Sequence, residues 1–317
     1  MEKHFLASAN SCNGFINLFK NINPDKNSFT YILKGGPGTG KSSVMKMLAN
    51  TYKNKGYDIE YFYCSSDPES LDGVKICKKN IAIVDGTAPH ITEATIPGVK
   101  EKIINVGEFI KPQIKKHKNT IEKLLIKKKQ NFEKAYETLR ATSHLINIEN
   151  KTNFKVNKLN LKEKFSLIPQ KHCGSERKLF CSFITKNGIE NFYYKNKFKN
   201  IEVLPFNFFE NALLLENLSK MLKENNFNFI SFMSPLNPTL REAIYIEETK
   251  KIIYAFNINE NLLESFKNKT IIQKLLKQAG SYIERAKYYH KKIEVYYVKN
   301  MDFDGLKKYI NNIENQL

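Results

Sequence analysis

The stretch Gly35-Gly36-Pro37-Gly38-Thr39-Gly40-Lys41-Ser42 has the residue types and the spacing to hold a chain of phosphates. Glycine tolerates left-handed backbone angles, so this run can curl until successive N–H groups converge on one anion-sized hollow. Lys41 would reach the β- and γ-phosphates of a nucleoside triphosphate, and the Ser42 hydroxyl would ligate Mg²⁺. The nucleotide contacts expected here are Gly35, Gly36, Pro37, Gly38, Thr39, Gly40, Lys41, Ser42 and Ser43. Downstream, Ile81-Ala82-Ile83-Val84-Asp85 is an apolar run ending in an acid. A buried strand of that kind presents Asp85 to Mg²⁺ through a water, so Ser42 and Asp85 form the expected metal set.

Other chemistry-bearing residues surround these two motifs. Ser65 to Gly73 is dense in acids and hydroxyls, and Asp67 and Asp72 there could orient water or a metal. Solvated turns use the same residue types. Lys41, Asp85 and Asp67 are the expected catalytic groups. Gly86 follows Asp85 at the position where many ATPases carry a water-polarising glutamate. Thr87, His90 and Glu93 are the nearby substitutes, though His90 reads better as a structural cap or hydrogen-bonding residue than as a catalyst.

The loop works only if a strand enters it and a helix leaves it. Phe29 to Leu33 is apolar and β-prone. Val44, Met47, Leu48 and Thr51 fall at helical spacing, with Gly56 as a stop. Tyr57 to Cys64 reads as a second strand. Ligands of open α/β sheets lie beyond the carboxyl ends of the strands, which places 65–73 near the phosphates. Further upstream, His4 to Ala9 predicts a short strand and Gly14 to Phe19 a short amphipathic helix. From about Val99 the apolar spacing predicts a long helical arm over 100–148, returning through a second helix near 150–165. Lysines 111, 115, 116, 118, 123 and 127–129 fill its other face. They read as a solvated surface that could also meet an acidic partner or a second copy. Pro112 would begin or break a helix, and 166–175 reads as a connector.

Shifting the chain by 170 residues aligns it with itself. Tyr31-Ile32-Leu33 meets Ile201-Glu202-Val203, Gly56 meets Asn226, and Asp67-Pro68 meets Asn237-Pro238. Upstream, His4-Phe5 meets Leu179-Phe180 and Gly14 meets Gly188, after a one-residue slip. At the loop position stands Pro205-Phe206-Asn207-Phe208-Phe209-Glu210-Asn211-Ala212, which has no glycine. Phenylalanines would fill the hollow, Glu210 would repel an anion, and Ile252 to Phe256 ends without an acid. The expectation is therefore an α/β fold: a parallel P-loop NTPase sheet flanked by helices, duplicated, with a helical arm. Residues 1–170 would form the competent domain with its arm at about 100–165, and 171–317 the degenerate one, with Leu262 to Lys292 helical.

Composition bounds the function classes. Five scattered cysteines without a C-x-x-C pair suit reduced cytosolic thiols, and no apolar run is long enough to span a bilayer. A cytoplasmic protein without a membrane partner is expected. The formal charge of +19 invites nucleic acid, but the excess is lysine, with arginine only at 140, 177, 241 and 285. A nucleic-acid partner is not favoured.

Tyr31 to Ser42, Cys64-Ser65-Ser66-Asp67, Ser70-Leu71-Asp72-Gly73 and Asp85-Gly86-Thr87-Ala88-Pro89-His90 resemble an uncharacterised family of bacterial ATPases. That family has two tandem P-loop halves and belongs to low-GC Gram-positive, often spore-forming bacteria. The resemblance spans essentially the whole chain and implies ATP binding with Mg²⁺ and hydrolysis, here with one usable half. ATP over GTP rests on it and on the lack of an N-K-x-D guanine signal. A small-molecule or nucleotide kinase, or a nucleotide-gated nucleic-acid scaffold, are the alternatives. Arg241 and Arg140 are the arginines to test as charge-stabilising fingers.

Overall fold

Short β-branched and aromatic runs separated by glycine and asparagine turns build the first sheet. The computed structural model describes residues 1–25, 27–149, 173–258 and 268–314. Its strand order is β1 (Glu2–Phe5), β5 (Ile59–Tyr63), β6 (Leu71–Ile76), β7 (Ile81–Asp85), β4 (Phe29–Lys34), β8 (Glu101–Asn105). Neighbours are parallel except at β6, which is antiparallel to both β5 and β7. The expected all-parallel sheet is thus mixed. All of β6 is buried, but Asp72, Gly73 and Lys75 within it made the segment read as loop.

Two further expectations change. Gly14 to Phe19 is not a helix: β2 (Ser8–Ser11) and β3 (Gly14–Asn17) form a hairpin, and Phe19–Asn21 is a single 3₁₀ turn. Asn13-Gly14 is a strong hairpin signal, with Gly14 at φ +85°, and it outweighs the apolar spacing. The arm is also shorter than predicted. Residues 101–105 are strand β8, 106–109 and 112–117 are 3₁₀ turns, and helix α2 spans Lys118–Glu149. Ile104 and Val106 are buried while Ile103 is exposed, so the period there is two rather than three or four. Pro112 opens its 3₁₀ turn, as a residue without an N–H can. The second arm helix near 150–165 and most of the 166–175 connector lie outside the described residues.

Helix α1 (Lys41–Asn54) buries Val44, Met45, Leu48, Ala49 and Tyr52, a single stripe at helical spacing. It packs on β6, and Gly56 at φ +83° ends it. The C-terminal helices are α4 (Lys269–Lys299) and α5 (Phe303–Glu314); Leu306, Ile310 and Ile313 of the latter join the same core. The start of the predicted 262–292 helix lies outside the described residues.

The second sheet runs β12 (Asn200–Val203), β15 (Lys251–Tyr254), β14 (Arg241–Ile246), β13 (Phe229–Met233), β9 (Glu176–Leu179). Its order and strand directions are those of the first sheet without β8. Here α3 (Phe208–Glu224) stands for α1, and a hairpin, β10 (Ser182–Thr185) and β11 (Gly188–Asn191), for β2 and β3. Strands β13 and β14 begin 170 residues after β5 and β6. Phe5 lies opposite Phe62 as Leu179 lies opposite Phe232, so Phe5 corresponds to Leu179, not Phe180.

The chain packs as two compact units. The first comprises Met1–Ser8, Asn17–Ala135 and Ser281–Leu317; the second comprises Ala9–Ile16 and Tyr136–Gly280. A boundary at 170/171 separates the two sheets, but the segment from Ser281 onward packs with the first. No helix among the described residues is long and apolar enough to cross a membrane.

Candidate functional site

Strand β4 ends at Lys34 and α1 starts at Lys41, so the glycine loop lies between a strand's carboxyl end and a helix N-terminus. Gly38 (φ +72°) and Gly40 (φ +90°) take the left-handed angles that make the curl. Gly36 is required for a different reason: a Cβ there would overlap the Tyr297 ring of α4. One at Gly38 would come within 3.0 Å of the Glu294 backbone. Thr39 is buried and its hydroxyl donates to the Gly36 carbonyl at 2.8 Å. The Thr87 hydroxyl donates to the Gly35 carbonyl at 2.9 Å and accepts from the Gly35 N–H at 3.2 Å. Thr87 is therefore a brace for the loop.

Lys41 is 8% exposed and its ammonium donates to the carbonyls of Gly35 and Gly36, both at 2.8 Å. Its Nζ lies 3.6 Å from Asp85 Oδ2, while Asp85 Oδ1 accepts from the Thr87 N–H at 2.8 Å. The Ser42 oxygen accepts from the Leu71 N–H at 2.9 Å, which ties the helix start to β6. Ser43 is exposed on the first turn of α1. Lys41 and Asp85 are thus brought together, with Ser42 the next residue of α1. Asp67 is committed elsewhere, in an ion pair with Lys287 at 2.8 Å. Glu93 pairs with Lys34 at 2.6 Å.

Asp72 and His90 join a cluster with Cys64. Between Phe62 and Tyr63 the β5–β6 register slips, so that Phe62 faces Gly73 and Tyr63 faces Leu71. Asp72 is the extra residue of a bulge, a device that re-aims a side chain. Its carboxylate is 4% exposed, and His90 Nε2 lies 3.4 Å from Oδ2. Burial pushes Asp72 up to about 6, with the Asp85 charge adding to the rise; His90, the Cys64 thiol and Lys41 oppose it. Burial also pushes the Cys64 thiol up, and Asp72 adds to that. The His90 ring stacks on Phe19 at 5.0 Å.

Sequence reasoning missed Lys128, which was one of a run of lysines on a polar helix face. Its Nζ donates to His290 Nδ1 at 2.9 Å, and His290 Nε2 lies 3.4 Å from Glu294. Burial holds the Lys128 ammonium below the usual lysine range, while Cys64, Glu294 and Asp85 support its charge and Lys41 opposes it. This side chain thus feels the charges of the loop site. No signal in the local sequence separates it from its neighbours.

At the corresponding position of the second unit the filling differs from expectation. Asn211 Nδ2 donates to the carbonyls of Leu204, Phe206 and Ala255 at 3.0, 2.7 and 2.9 Å. Phe208 is buried, but Phe206 is exposed, so phenylalanines alone do not occupy the spot. Glu210 closes a capping box with Asn207 at the start of α3. Arg241 is held by Glu176 at 2.9 Å, by Glu216 and by Ser231, and Arg140 pairs with Glu137. Arg241 is thus buried in ion pairs of its own unit, whereas Arg140 is exposed and held only by a neighbour on its own helix.

Among known families, the one described as Nephrocystin 3, N-terminal, matches residues 11–142, less than half of the chain. That stretch holds the glycine loop, Asp85 and the Cys64–Asp72–His90 cluster. No curated protein matches the chain, and no solved structure matches it.

Proposed function

We propose that this chain binds ATP with Mg²⁺ at the glycine loop and hydrolyses it, and that the second unit is a degenerate copy of the same P-loop NTPase fold. The observation that carries the reading is local. A strand runs into two left-handed glycines and then a helix, and Lys41 is held over the loop carbonyls 3.6 Å from Asp85. Loop N–H groups and the helix start favour the polyphosphate, and Lys41 offsets its charge. Ser42 and Asp85 are the residues that would hold Mg²⁺, which supplies charge neutralisation across the β- and γ-phosphates. Lys128 adds a second cation on the side of α2 and α4. The choice of ATP rests on the resemblance to the tandem ATPase family.

Several paired features support duplication. Asn17 and Asn191 both accept from the N–H two residues on, at 2.9 and 3.1 Å. Glu2–Lys53 recurs as Glu176–Lys223, at 3.0 and 2.6 Å. Both sheets carry the same bulge, which sets Asp72 in one and Glu242 in the other.

One observation favours a second reading, transfer to a bound acceptor. A Cβ at Gly86 would overlap Ile32, so no carboxylate can follow Asp85 to polarise water. Calorimetric titration with ATP, coupled to phosphate release without any acceptor, tests both readings. Wild type should bind and release phosphate; Lys41→Ala should lose at least about 100-fold in affinity with unchanged far-ultraviolet circular dichroism. Undiminished affinity in that variant refutes the site, and binding without release favours the acceptor reading.

A further inference from the structure

We infer that Cys64, Asp72 and His90 form a binding site for one thiophilic divalent transition-metal ion of the Zn²⁺ class, separate from the Mg²⁺ position. The three side chains come from different elements: the end of β5, the bulge of β6 and the loop after β7. One ligand atom from each lies within 4.8 Å of the other two. Metal–ligand bonds of about 2.0–2.3 Å need only a small contraction from there. A thiolate, an imidazole and a carboxylate suit zinc and its neighbours, whereas Mg²⁺ takes oxygen ligands alone. Three protein ligands also leave a fourth position for water or a substrate atom, the pattern of reactive rather than purely structural zinc sites.

Two independent features point into this site. Asp72 Oδ2 is buried and accepts no hydrogen bond within the protein. A divalent ion held by one thiolate, one carboxylate and one neutral imidazole forms an electroneutral group, which removes the cost of burying that acid. The Cys64 thiol meanwhile hydrogen-bonds to the Asp72 carboxyl, so two of the three ligands are already in contact. Phe19 stacks on the His90 ring, and the His90 backbone N–H donates to the Thr87 carbonyl at 2.9 Å, which fixes the main chain that carries the imidazole. The second unit gives the contrast. Ser234 stands for Cys64 and Glu242 for Asp72, and the Ser182 hydroxyl donates to that acid at 2.6 Å. There a hydrogen bond from a hydroxyl takes the place of soft ligands.

The test is titration of the chelator-treated full chain with Co²⁺, without nucleotide, followed by absorption spectroscopy. One Co²⁺ per chain should bind, with a thiolate-to-cobalt charge-transfer band, and excess Mg²⁺ should not displace it. Cys64→Ser should lose the band and at least about tenfold in affinity, and Asp72→Asn should weaken binding at an intact band. Cys77→Ser, at another half-buried cysteine of the same unit, should change neither. Absence of stoichiometric Co²⁺ binding in wild type, or a band that survives Cys64→Ser, overturns the site. Because no nucleotide is used, either result is independent of the ATP reading.

Discussion

The two turns that join a strand to the following helix place opposite chemistry at the positions of Lys41 and Asn211. In the first unit Lys41 bridges the carbonyls of Gly35 and Gly36 and keeps a charge beside Asp85. In the second, Asn211 ties together the carbonyls of Leu204, Phe206 and Ala255, the last standing where Asp85 would be. A neutral amide with both of its hydrogens spent on backbone acceptors closes the turn and leaves nothing for an anion. The Lys41 ammonium, with two bonds to carbonyls and Asp85 at 3.6 Å, keeps a full positive charge at that position. The helix after the turn also differs: Lys41 is the first residue of α1, whereas α3 begins at Phe208, three residues before Asn211, so without the left-handed glycines the helix takes up part of the turn.

The largest expected effect on stability tests the stapled copy. Arg241 takes the position of Leu71 and is 4% exposed. Burial raises the Glu176 carboxyl, but bonds from Lys223, Ser231 and Arg241 outweigh it and hold the group at about 2. Arg241→Leu would leave Glu176 with a buried charge only partly compensated, at a cost of about 3–4 kcal/mol in urea unfolding. The Glu2–Lys53 pair of the first unit is half exposed, so Lys53→Ala should cost no more than about 1 kcal/mol. Equal losses in the two variants would show that the pairs are not differently embedded.

A somewhat smaller effect separates the two bulged acids. Burial pushes Glu242 up to about 7 from an ordinary value of 4.5, against hydroxyls of Ser182, Ser234 and Tyr193 that pull it down. The folded state therefore holds this proton more tightly than the unfolded chain. The resulting stability is full below about pH 4.5, declines as pH rises, and is gone above about pH 7. At about 1.4 kcal/mol per unit the loss is about 3 kcal/mol. Glu242→Gln should lack this dependence, so its stability relative to wild type should rise between pH 5 and pH 8. Parallel curves for the two proteins would refute the assignment.

How much of the fold is legible in the sequence follows the strength of its local signals. The loop, its strand and its helix were legible because glycine spacing and apolar runs agreed with one another. Strand β6 was hidden because Asp72 and Lys75 are polar yet buried, and only the bulge explains where Asp72 points. The hairpins carry Asn13-Gly14 and Asn187-Gly188 in plain view, but the apolar residues after Gly14 imitate a helical stripe. Strand β8 imitated one too, since Ile103 and Val106 fall three apart while burial selects Ile104 and Val106. The Cys64–Asp72–His90 cluster spans three motifs that the sequence marked one by one, and chain separation concealed that they meet. Lys128 illustrates the harder limit, because its neighbours Lys127 and Lys129 have the same chemistry and remain exposed.

The smallest effect expected concerns that lysine. Its Nζ is held by His290 at 2.9 Å and its charge is coupled to Asp85 and Lys41. Lys128→Met should lower ATP turnover about tenfold, or roughly 1.4 kcal/mol of transition-state stabilisation, with KM changed much less. A lysine disfavoured by burial loses its proton at lower pH than an exposed one. Wild-type turnover should therefore fall on the alkaline side before ordinary lysines titrate. Lys128→Arg, whose guanidinium stays charged, should restore activity and flatten that limb. If Lys128 merely props α2 against α4, the methionine variant would lose stability while its pH profile kept the wild-type shape.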